Sequence, residues 1–154
     1  MEISKNLSAM LSTIAYSEGT DNGIQKTNNR GYDVLVGGGL FDSYADHPRK
    51  LIVLRQGLSS TAAGRYQLLA RYFDAYKKQL NLTDFSPASQ DAIAVQQIKE
   101  CKALNDVEAG YIGIALDKCR HIWASLPGAG YGQHENSLHV LLDRYVKFGG
   151  KTTA

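Results

Sequence analysis

Glu18 is the residue whose position in this sequence best suggests acid chemistry. It continues by four residues the apolar helical face formed by Leu7, Met10, Leu11 and Ile14, and Gly19 after it is a natural helix C-cap. The negative end of the helix dipole and partial burial both disfavour an ionised carboxylate, so both raise its pKa. The pattern predicts either a carboxyl that keeps its proton for transfer or a helix-end glutamate turned to solvent. Spacing by itself favours the second interpretation.

Two further segments combine aromatic and amide side chains. "GRYQLL", residues 64–69, places Tyr66 and Gln67 at a predicted helix start, and "PGAGYGQ", residues 127–133, places Tyr131 and Gln133 on a glycine-rich loop. An aromatic face can lie against a sugar ring, and an amide both donates and accepts hydrogen bonds. The alternatives are that Tyr66 is the first core residue of its helix and that the loop merely connects two helices.

Other kinds of site lack the necessary spacing. The four histidines form no metal-ligand motif, Cys101 and Cys119 fit no zinc or redox spacing, and "GKT" near the C-terminus lacks the rest of a phosphate loop. We therefore expect no metal and no cofactor, and both cysteines as thiols in or near the core. Without a Ser, Cys or His nucleophile motif, carboxylate chemistry is the enzymatic option that remains.

Helices supply most of the predicted elements that position these residues. After the helix of Glu18, capped by Ser4 or Asn6, the β-rich runs "YDVLV" and "KLIVL" predict a small antiparallel sheet within residues 32–54. Helical periodicity then runs over residues 66–80, from "FSP" at 85–87 onward, unevenly over 107–124, and around 138–145. Residues 125–132 are a predicted loop, and the tail "GGKTTA" is expected to be dispensable.

Size and composition indicate one globular domain. The chain has 154 residues, 44% hydrophobic and 21% charged, and its net charge of +2 calls for no polyanion, so a nucleic-acid partner is unsupported. No secretory signal or membrane-length apolar run is present, which predicts a cytosolic chain. We expect a monomeric α+β protein, mainly helical, with a small antiparallel sheet lobe and a substrate cleft between two unequal lobes.

Seven segments, read together, resemble the lambda-type endolysins of bacteriophages. They are "YSEGTDNG", "GYDV", "DHPRKL", "AGRYQLL", "DFSP", "QQIKE" and "IWASLPGAGYGQ", in the same order over about residues 11–133. The resemblance is weaker over residues 101–120 and beyond residue 134. It implies one lysozyme-like domain over residues 1–154. The implied activity is that of a lytic transglycosylase, which cuts the β-1,4 bond between N-acetylmuramic acid and N-acetylglucosamine and leaves a 1,6-anhydro ring.

The resemblance also implies roles for individual residues. The family's single catalytic glutamate, in its "SEGT" motif, matches Glu18, which would act first as acid and then as base. Tyr66 and Gln67 in "GRYQ" are the main implied substrate contacts, followed by Tyr131, Gln133 and Tyr32. Peptidoglycan glycan strands are the implied partner.

Two other functions stay open, and the resemblance implies a route to the substrate. A hydrolysing muramidase would use Glu18 with Asp21 or Asp33 as the second carboxylate. A wall-binding module would hold glycan without cutting it. Since the substrate lies beyond the inner membrane, the resemblance implies accumulation in the host cytoplasm and release through a phage holin to the periplasmic wall.

Overall fold

The computed structural model describes residues 2–130 and 134–153. In this part of the chain six α-helices accompany one two-stranded antiparallel sheet, an α+β fold as expected. The elements, in chain order, are α1 (Lys5–Ser17), β1 (Ile52–Arg55), β2 (Leu58–Ser60), α2 (Ala70–Gln79), α3 (Pro87–Glu100), α4 (Leu104–Ala109), α5 (Ile112–Cys119) and α6 (Leu138–Lys147).

Helix α1 forms as the apolar spacing predicts. Ser4 is its N-cap, and the Ser4 hydroxyl accepts a hydrogen bond from the Leu7 N–H at 3.0 Å, which satisfies one of the orphan donors of the first turn. The predicted face of Leu7, Met10, Leu11 and Ile14 is buried. Burial of this stripe, rather than helix propensity, supplies most of the stability of the helix.

Only one of the two predicted strands forms, and its partner in the sheet is a different segment. β1 overlaps the "KLIVL" run and pairs with β2, with Ile52 opposite Ser60, whereas "YDVLV" makes isolated bridges such as Val34 with Leu40. The prediction of a strand in residues 32–36 is therefore wrong. The backbone on both sides, at Gly31 and Gly37, has positive φ and bends into turns, so an extended strand cannot continue through it.

The predicted helix over residues 66–80 starts four residues late, at Ala70. Residues 64–67 form a turn, because Gly64 has φ of +85° and Gln67 has φ of +54°. Ala63 and Leu68 close this turn by exchanging backbone hydrogen bonds of 3.0 and 2.9 Å. A Cβ on Gly64 would lie 2.4 Å from the Gln90 amide oxygen, so glycine is required there.

The later helices form where they are predicted, except that one predicted helical stretch is two separate helices. α3 begins at Pro87, as "FSP" predicts, and α6 covers the predicted last helix. The uneven stretch over 107–124 is instead α4 and α5, because Gly110 ends α4 with φ of +87°.

The C-terminal tail is not dispensable to the packing. The backbone N–H of Lys151 donates to the Asn6 side-chain oxygen, and that of Thr153 donates to the Gly110 carbonyl, each at 3.0 Å. These contacts tie the tail to α1 and to the end of α4.

The chain divides into two compact units. The first contains residues up to Glu18 and from Ala94 onward, and the second is Gly19–Ile93. In the second unit Phe73, Phe85 and Ile93 form a hydrophobic cluster. Across residues 2–130 and 134–153, the helices fall short of the length and apolar character needed to cross a bilayer. The cleft and the single-domain organisation stay predictions.

Candidate active site

Glu18 is the C-cap of α1. Its backbone N–H donates to the Ile14 carbonyl at 2.8 Å, so the last helical hydrogen bond fixes its position, and its side chain is partly buried. The carboxyl is oriented by contacts within the first unit rather than extended freely into solvent. The geometry therefore fits the interpretation of a screened acid.

Ser125, in the segment after α5, is the direct partner of the Glu18 carboxyl. Its hydroxyl donates a short hydrogen bond to Glu18 Oε2, and its backbone N–H donates a second. Two donors from one residue hold the carboxyl in a defined orientation.

A chain of hydrogen bonds supports Ser125. The Ser125 hydroxyl proton goes to Glu18, so the Ser17 hydroxyl, 2.8 Å away, is the donor to Ser125 Oγ. Asn136 in turn donates from its side-chain nitrogen to Ser17 Oγ at 3.1 Å, and from its backbone N–H to the Ser125 carbonyl at 2.8 Å. The hydrogen bonds thus form a relay that runs from Asn136 to Ser17, then to Ser125, and ends at the Glu18 carboxyl.

Burial raises the pKa of Glu18 above its ordinary value. The hydrogen bonds from the Ser125 hydroxyl and backbone N–H stabilise the carboxylate and offset part of that rise. A carboxyl in this environment keeps its proton to a higher pH than an exposed glutamate. The ionised form is also stabilised, because Ser125 donates two hydrogen bonds to it. That carboxylate can later take a proton back.

Arg65 is the centre of a second polar group, in the second unit. Its side chain is 8% exposed and forms an ion pair with Asp21 at 3.1 Å. Its Nε donates to the Arg30 carbonyl at 2.9 Å, and its Nη1 donates to the Tyr66 hydroxyl at 3.1 Å. A buried guanidinium requires such partners, so this group holds its part of the fold in one arrangement.

Tyr66 and Tyr32, both predicted substrate contacts, belong to this network. Tyr66 is 5% exposed and Tyr32 is 4% exposed. Their hydroxyls donate to the same carboxylate, Asp91, at 2.6 Å from Tyr66 and 2.9 Å from Tyr32. Burial, together with the negative charge of Asp91, raises both pKa values. Stacking a sugar on either ring would need more exposed face than these buried side chains offer.

Gln67 is less buried, and its backbone is in the left-handed region. The two hydrogens of its amide nitrogen go to the carbonyls of Val34 and Gly64, at 3.2 and 2.9 Å. Its amide oxygen is therefore the atom suited to accept a hydrogen bond from a ligand hydroxyl.

Two predicted contacts, Tyr131 and Gln133, lie outside the described residues. The segment before them is fixed by Glu135, whose carboxylate accepts from the backbone N–H groups of Gly128 and Gly130 at 2.9 and 3.0 Å. Glu135 carries no helix or strand signal, so the sequence did not single it out.

The two carboxylates considered for a hydrolytic mechanism differ in their surroundings. Asp33 is buried, and it accepts hydrogen bonds from the Thr27 hydroxyl at 2.5 Å and the Asn28 N–H at 3.0 Å. The side chain of Asp21 is 35% exposed and is paired with Arg65. Asp33 thus stabilises the loop that contains Thr27 and Asn28, whereas the side chain of Asp21 remains partly accessible to solvent.

The described histidines and cysteines do not assemble a metal site. Over residues 2–130 and 134–153, His, Cys, Asp and Glu form no group of three or more suited to hold a metal ion. His47 is buried, and its Nε2 lies 2.8 Å from the Leu68 carbonyl. Burial lowers its pKa, so this imidazole is a neutral core group.

The sequence pattern singles out Glu18 but none of the residues that hydrogen-bond around its carboxyl. Ser125, Ser17 and Asn136 have no distinguishing local pattern, although Ser125 lies inside the quoted segment "IWASLPGAGYGQ". Arg65 directly precedes the predicted pair Tyr66 and Gln67. An arginine next to an aromatic residue could have indicated that Arg65 belongs to the same polar group.

Comparisons with known proteins agree over nearly the whole chain. A family model described as Endolysin matches residues 8–152. The chain is 59% identical over 150 residues to the endolysin of Escherichia phage lambda, covering 97% of this chain and 95% of that protein. It is 49% identical over 156 residues to the endolysin of Escherichia phage P2, with coverage of 95% and 94%.

Solved structures give the same picture. Bacteriophage lambda lysozyme complexed with a chitohexasaccharide superposes with a TM-score of 0.98, at 57% identity and 99% coverage of both chains. Another structure of lysozyme from bacteriophage lambda superposes with a TM-score of 0.93 at the same identity and coverage.

Proposed function

This chain belongs to the endolysin family, and from that membership we propose that it is a lytic transglycosylase of peptidoglycan. Its fold is lysozyme-like, and it is an endolysin enzyme that acts on the bacterial cell wall. The proposal concerns the reaction: cleavage of the β-1,4 bond between N-acetylmuramic acid and N-acetylglucosamine without water.

The observation that supports this reaction is the setting of Glu18. Burial raises the pKa of its carboxyl, so the proton needed by the glycosidic oxygen is present at higher pH than on an exposed glutamate. When the bond breaks, the proton moves from Glu18 to the leaving oxygen. The hydrogen bonds from Ser125 then stabilise the carboxylate that remains.

The second step uses the same carboxylate as a base. The positive charge that develops at the anomeric carbon is held by the N-acetyl group of the substrate. Glu18 takes the proton from the muramoyl 6-hydroxyl, whose oxygen bonds to the anomeric carbon and closes the 1,6-anhydro ring. Glu18 ends protonated, as it began, so one carboxyl suffices for the cycle.

Glycan is the substrate class, since a close structural relative is a complex with a chitohexasaccharide. We assign the accepting amide oxygen of Gln67 to a sugar hydroxyl or N-acetyl N–H. Tyr66 and Tyr32 would contact the glycan through a ring edge while positioning Arg65, and Tyr131 and Gln133 complete the proposed contacts.

Hydrolysis is the second candidate, and one observation favours it. Asp21 is partly exposed and is paired with Arg65, so it could serve as the second carboxylate of a muramidase. The solved relatives also carry the name lysozyme. Asp33 is a weaker choice, because loop donors already occupy its oxygens.

Product mass tests the proposal. Purified peptidoglycan digested with the protein and analysed by mass spectrometry is expected to give 1,6-anhydro-muropeptides. Products heavier by one water would overturn the transglycosylase assignment and favour the muramidase. Binding without any released muropeptide would support the non-catalytic module instead. The variant Asp21→Asn is expected to give the same anhydro products.

The route to the substrate is part of the proposal. The chain would accumulate as a monomer in the host cytoplasm and reach the periplasmic wall once a holin opens the inner membrane. Fractionation of cells that produce the chain without a holin is expected to find it in the cytoplasm. Its appearance in the periplasm of intact cells would contradict this route.

A further inference from the structure

Asn136 lies just before α6 and contacts two residues of the Glu18 environment at once. Its side-chain nitrogen donates to the carbonyl oxygen and to the hydroxyl oxygen of Ser17, each at 3.1 Å. Its backbone N–H donates to the Ser125 carbonyl at 2.8 Å. Ser17 and Ser125 are both buried. One residue thus joins the end of α1 to the segment that holds Ser125.

The Asn136 amide fixes the direction of the hydroxyl protons that follow it. An amide nitrogen only donates, so Ser17 Oγ is the acceptor in that contact and directs its own proton elsewhere. Ser125 Oγ, 2.8 Å from Ser17 Oγ, is closer than the Ser125 carbonyl oxygen at 3.3 Å. Ser125 Oγ then accepts from Ser17 and gives its own proton to Glu18 Oε2. Each hydroxyl in the series therefore donates towards the carboxyl.

We propose that Asn136 is a positioning residue, which donates to Ser17 and thereby keeps the Ser125 hydroxyl proton directed at Glu18; this rests on the proposed role of Glu18 as the acid. Without the Asn136 amide, the Ser17 hydroxyl can turn and accept from Ser125. The Ser125 proton would then point away from Glu18. The carboxylate that forms when the glycosidic oxygen takes its proton would lose a donor. Asn136 acts through Ser17 rather than on the glycan, because both bonds of its side-chain nitrogen go to Ser17.

A pH profile reports on Glu18 only if the other charged groups around it stay constant. Burial is the main cause of its raised pKa, and the hydrogen bonds from Ser125 oppose that rise. Helices α4 and α6 pack against α1, and their charged side chains are identical in all variants of the test. The constant groups include Arg144 of α6, Glu108 of α4, and His134 and Glu135 beside Asn136. A shift of the profile between variants therefore reports on the hydrogen bonds to Glu18.

The test compares Asn136→Ala with the wild type in the steady-state release of muropeptides from purified cell walls across pH. Alanine removes the side-chain amide and keeps the backbone N–H that donates to Ser125. We expect kcat to fall about 3- to 10-fold, the equivalent of one hydrogen bond, with KM unchanged. The basic limb of kcat/KM should shift to higher pH, because Glu18 loses a donor that lowers its pKa. Asn105→Ala, at an exposed position of α4, is the matched control.

A double variant separates action through Ser125 from a general loosening of the fold. In the Ser125→Ala background, Asn136→Ala should cause no further loss of kcat and no further shift of the basic limb, because the hydroxyl that it orients is gone. Independent, additive effects of the two changes would overturn the proposal. Asn136→Asp keeps the shape of the side chain but cannot donate, so it should also lower kcat, even where Asn136→Ala folds poorly.

Three outcomes of the single variant comparison would reject the positioning role. They are an unchanged kcat and pH profile in Asn136→Ala, a raised KM with unchanged kcat, which would indicate direct contact with glycan, and wild-type kcat in Asn136→Asp. Failure of the proposed function is seen separately, as activity that survives in Glu18→Gln. An inactive Glu18→Gln beside an unaffected Asn136→Ala would reject the inference about Asn136 and leave the acid in place.

Discussion

Ser125 donates two hydrogen bonds to the carboxyl of Glu18, one from its hydroxyl and one from its backbone N–H. The two residues are far apart in sequence, and each is fixed independently: Glu18 by the end of α1, and Ser125 by its bonds to Ser17 and Asn136. Burial favours the protonated acid, and Ser125 favours the carboxylate. The opposition suits a group that must first give a proton and later take one back.

Replacing Glu18 by glutamine should abolish catalysis while leaving the fold intact. The amide has the same shape and can still accept from Ser125, but it has no acidic proton. We expect release of muropeptides to fall by at least about 100-fold. Turbidity loss of purified cell walls measures this, and Glu2→Gln, at an exposed position, is the matched control. Activity retained in Glu18→Gln would remove the acid from the mechanism.

Ser125→Ala should move the pH profile of catalysis. Since the Ser125 hydroxyl lowers the pKa of Glu18, its loss lets the pKa rise further. The basic limb of kcat/KM, where the acid loses its proton, should therefore shift to higher pH. Ser8→Ala lies on the exposed side of the same helix and should leave the profile unchanged. An unmoved basic limb in Ser125→Ala would show that this contact does not tune the acid.

The raised pKa of Glu18 also predicts how stability depends on pH. Between the ordinary pKa of the unfolded carboxyl and the raised pKa of the folded one, the folded state binds more protons. Stability contributed by this group is therefore lost as pH rises through that window. Glu18→Gln lacks the effect, so its melting temperature should rise relative to that of the wild type as the pH increases above about 4, the ordinary pKa of a glutamate. A difference that shrinks with rising pH would contradict the sign.

Tyr66→Phe tests whether the buried tyrosine holds Arg65 and Asp91 in place. Each of these charged residues would lose one hydrogen-bond partner, and we expect a loss of about 1–3 kcal/mol in the free energy of unfolding. Urea denaturation measures it. Tyr72→Phe, at a ring that is 47% exposed, should change stability little. Equal stability of the two variants would mean that the network does not depend on the Tyr66 hydroxyl.

Ending the chain after Phe148 should destabilise the first unit, contrary to the expectation from the tail sequence. The truncation removes the hydrogen bonds that Lys151 and Thr153 make with Asn6 and Gly110, and we expect a loss of about 1–3 kcal/mol. Lys151→Ala keeps the backbone contacts and is the control. A truncated chain that melts at the wild-type temperature would show that these bonds contribute nothing.

Predictions from periodicity succeeded where local signals agree with packing. The apolar spacing of Leu7, Met10, Leu11 and Ile14 defines a helical face, and Ser4 before it is the N-cap. The segment "FSP" places a serine and a proline at the positions that they prefer at a helix start. The strand in residues 32–36 and the early start of α2 failed for one common reason. Gly31, Gly37 and Gly64 have positive φ and form turns, and these turns override the local preference for strand or helix.

By itself, the sequence determined that a glutamate ends an apolar helix, that the chain is α+β, and which segments resemble a family. These properties depend on neighbours three or four residues away, and such spacing is visible in one dimension. Only the tertiary structure decided that Ser125, Ser17 and Asn136 meet at Glu18 and that Tyr32 and Tyr66 share Asp91. Hydrogen bonds between residues distant in the chain require the folded backbone to bring their atoms within about 3 Å, and no local pattern encodes that approach.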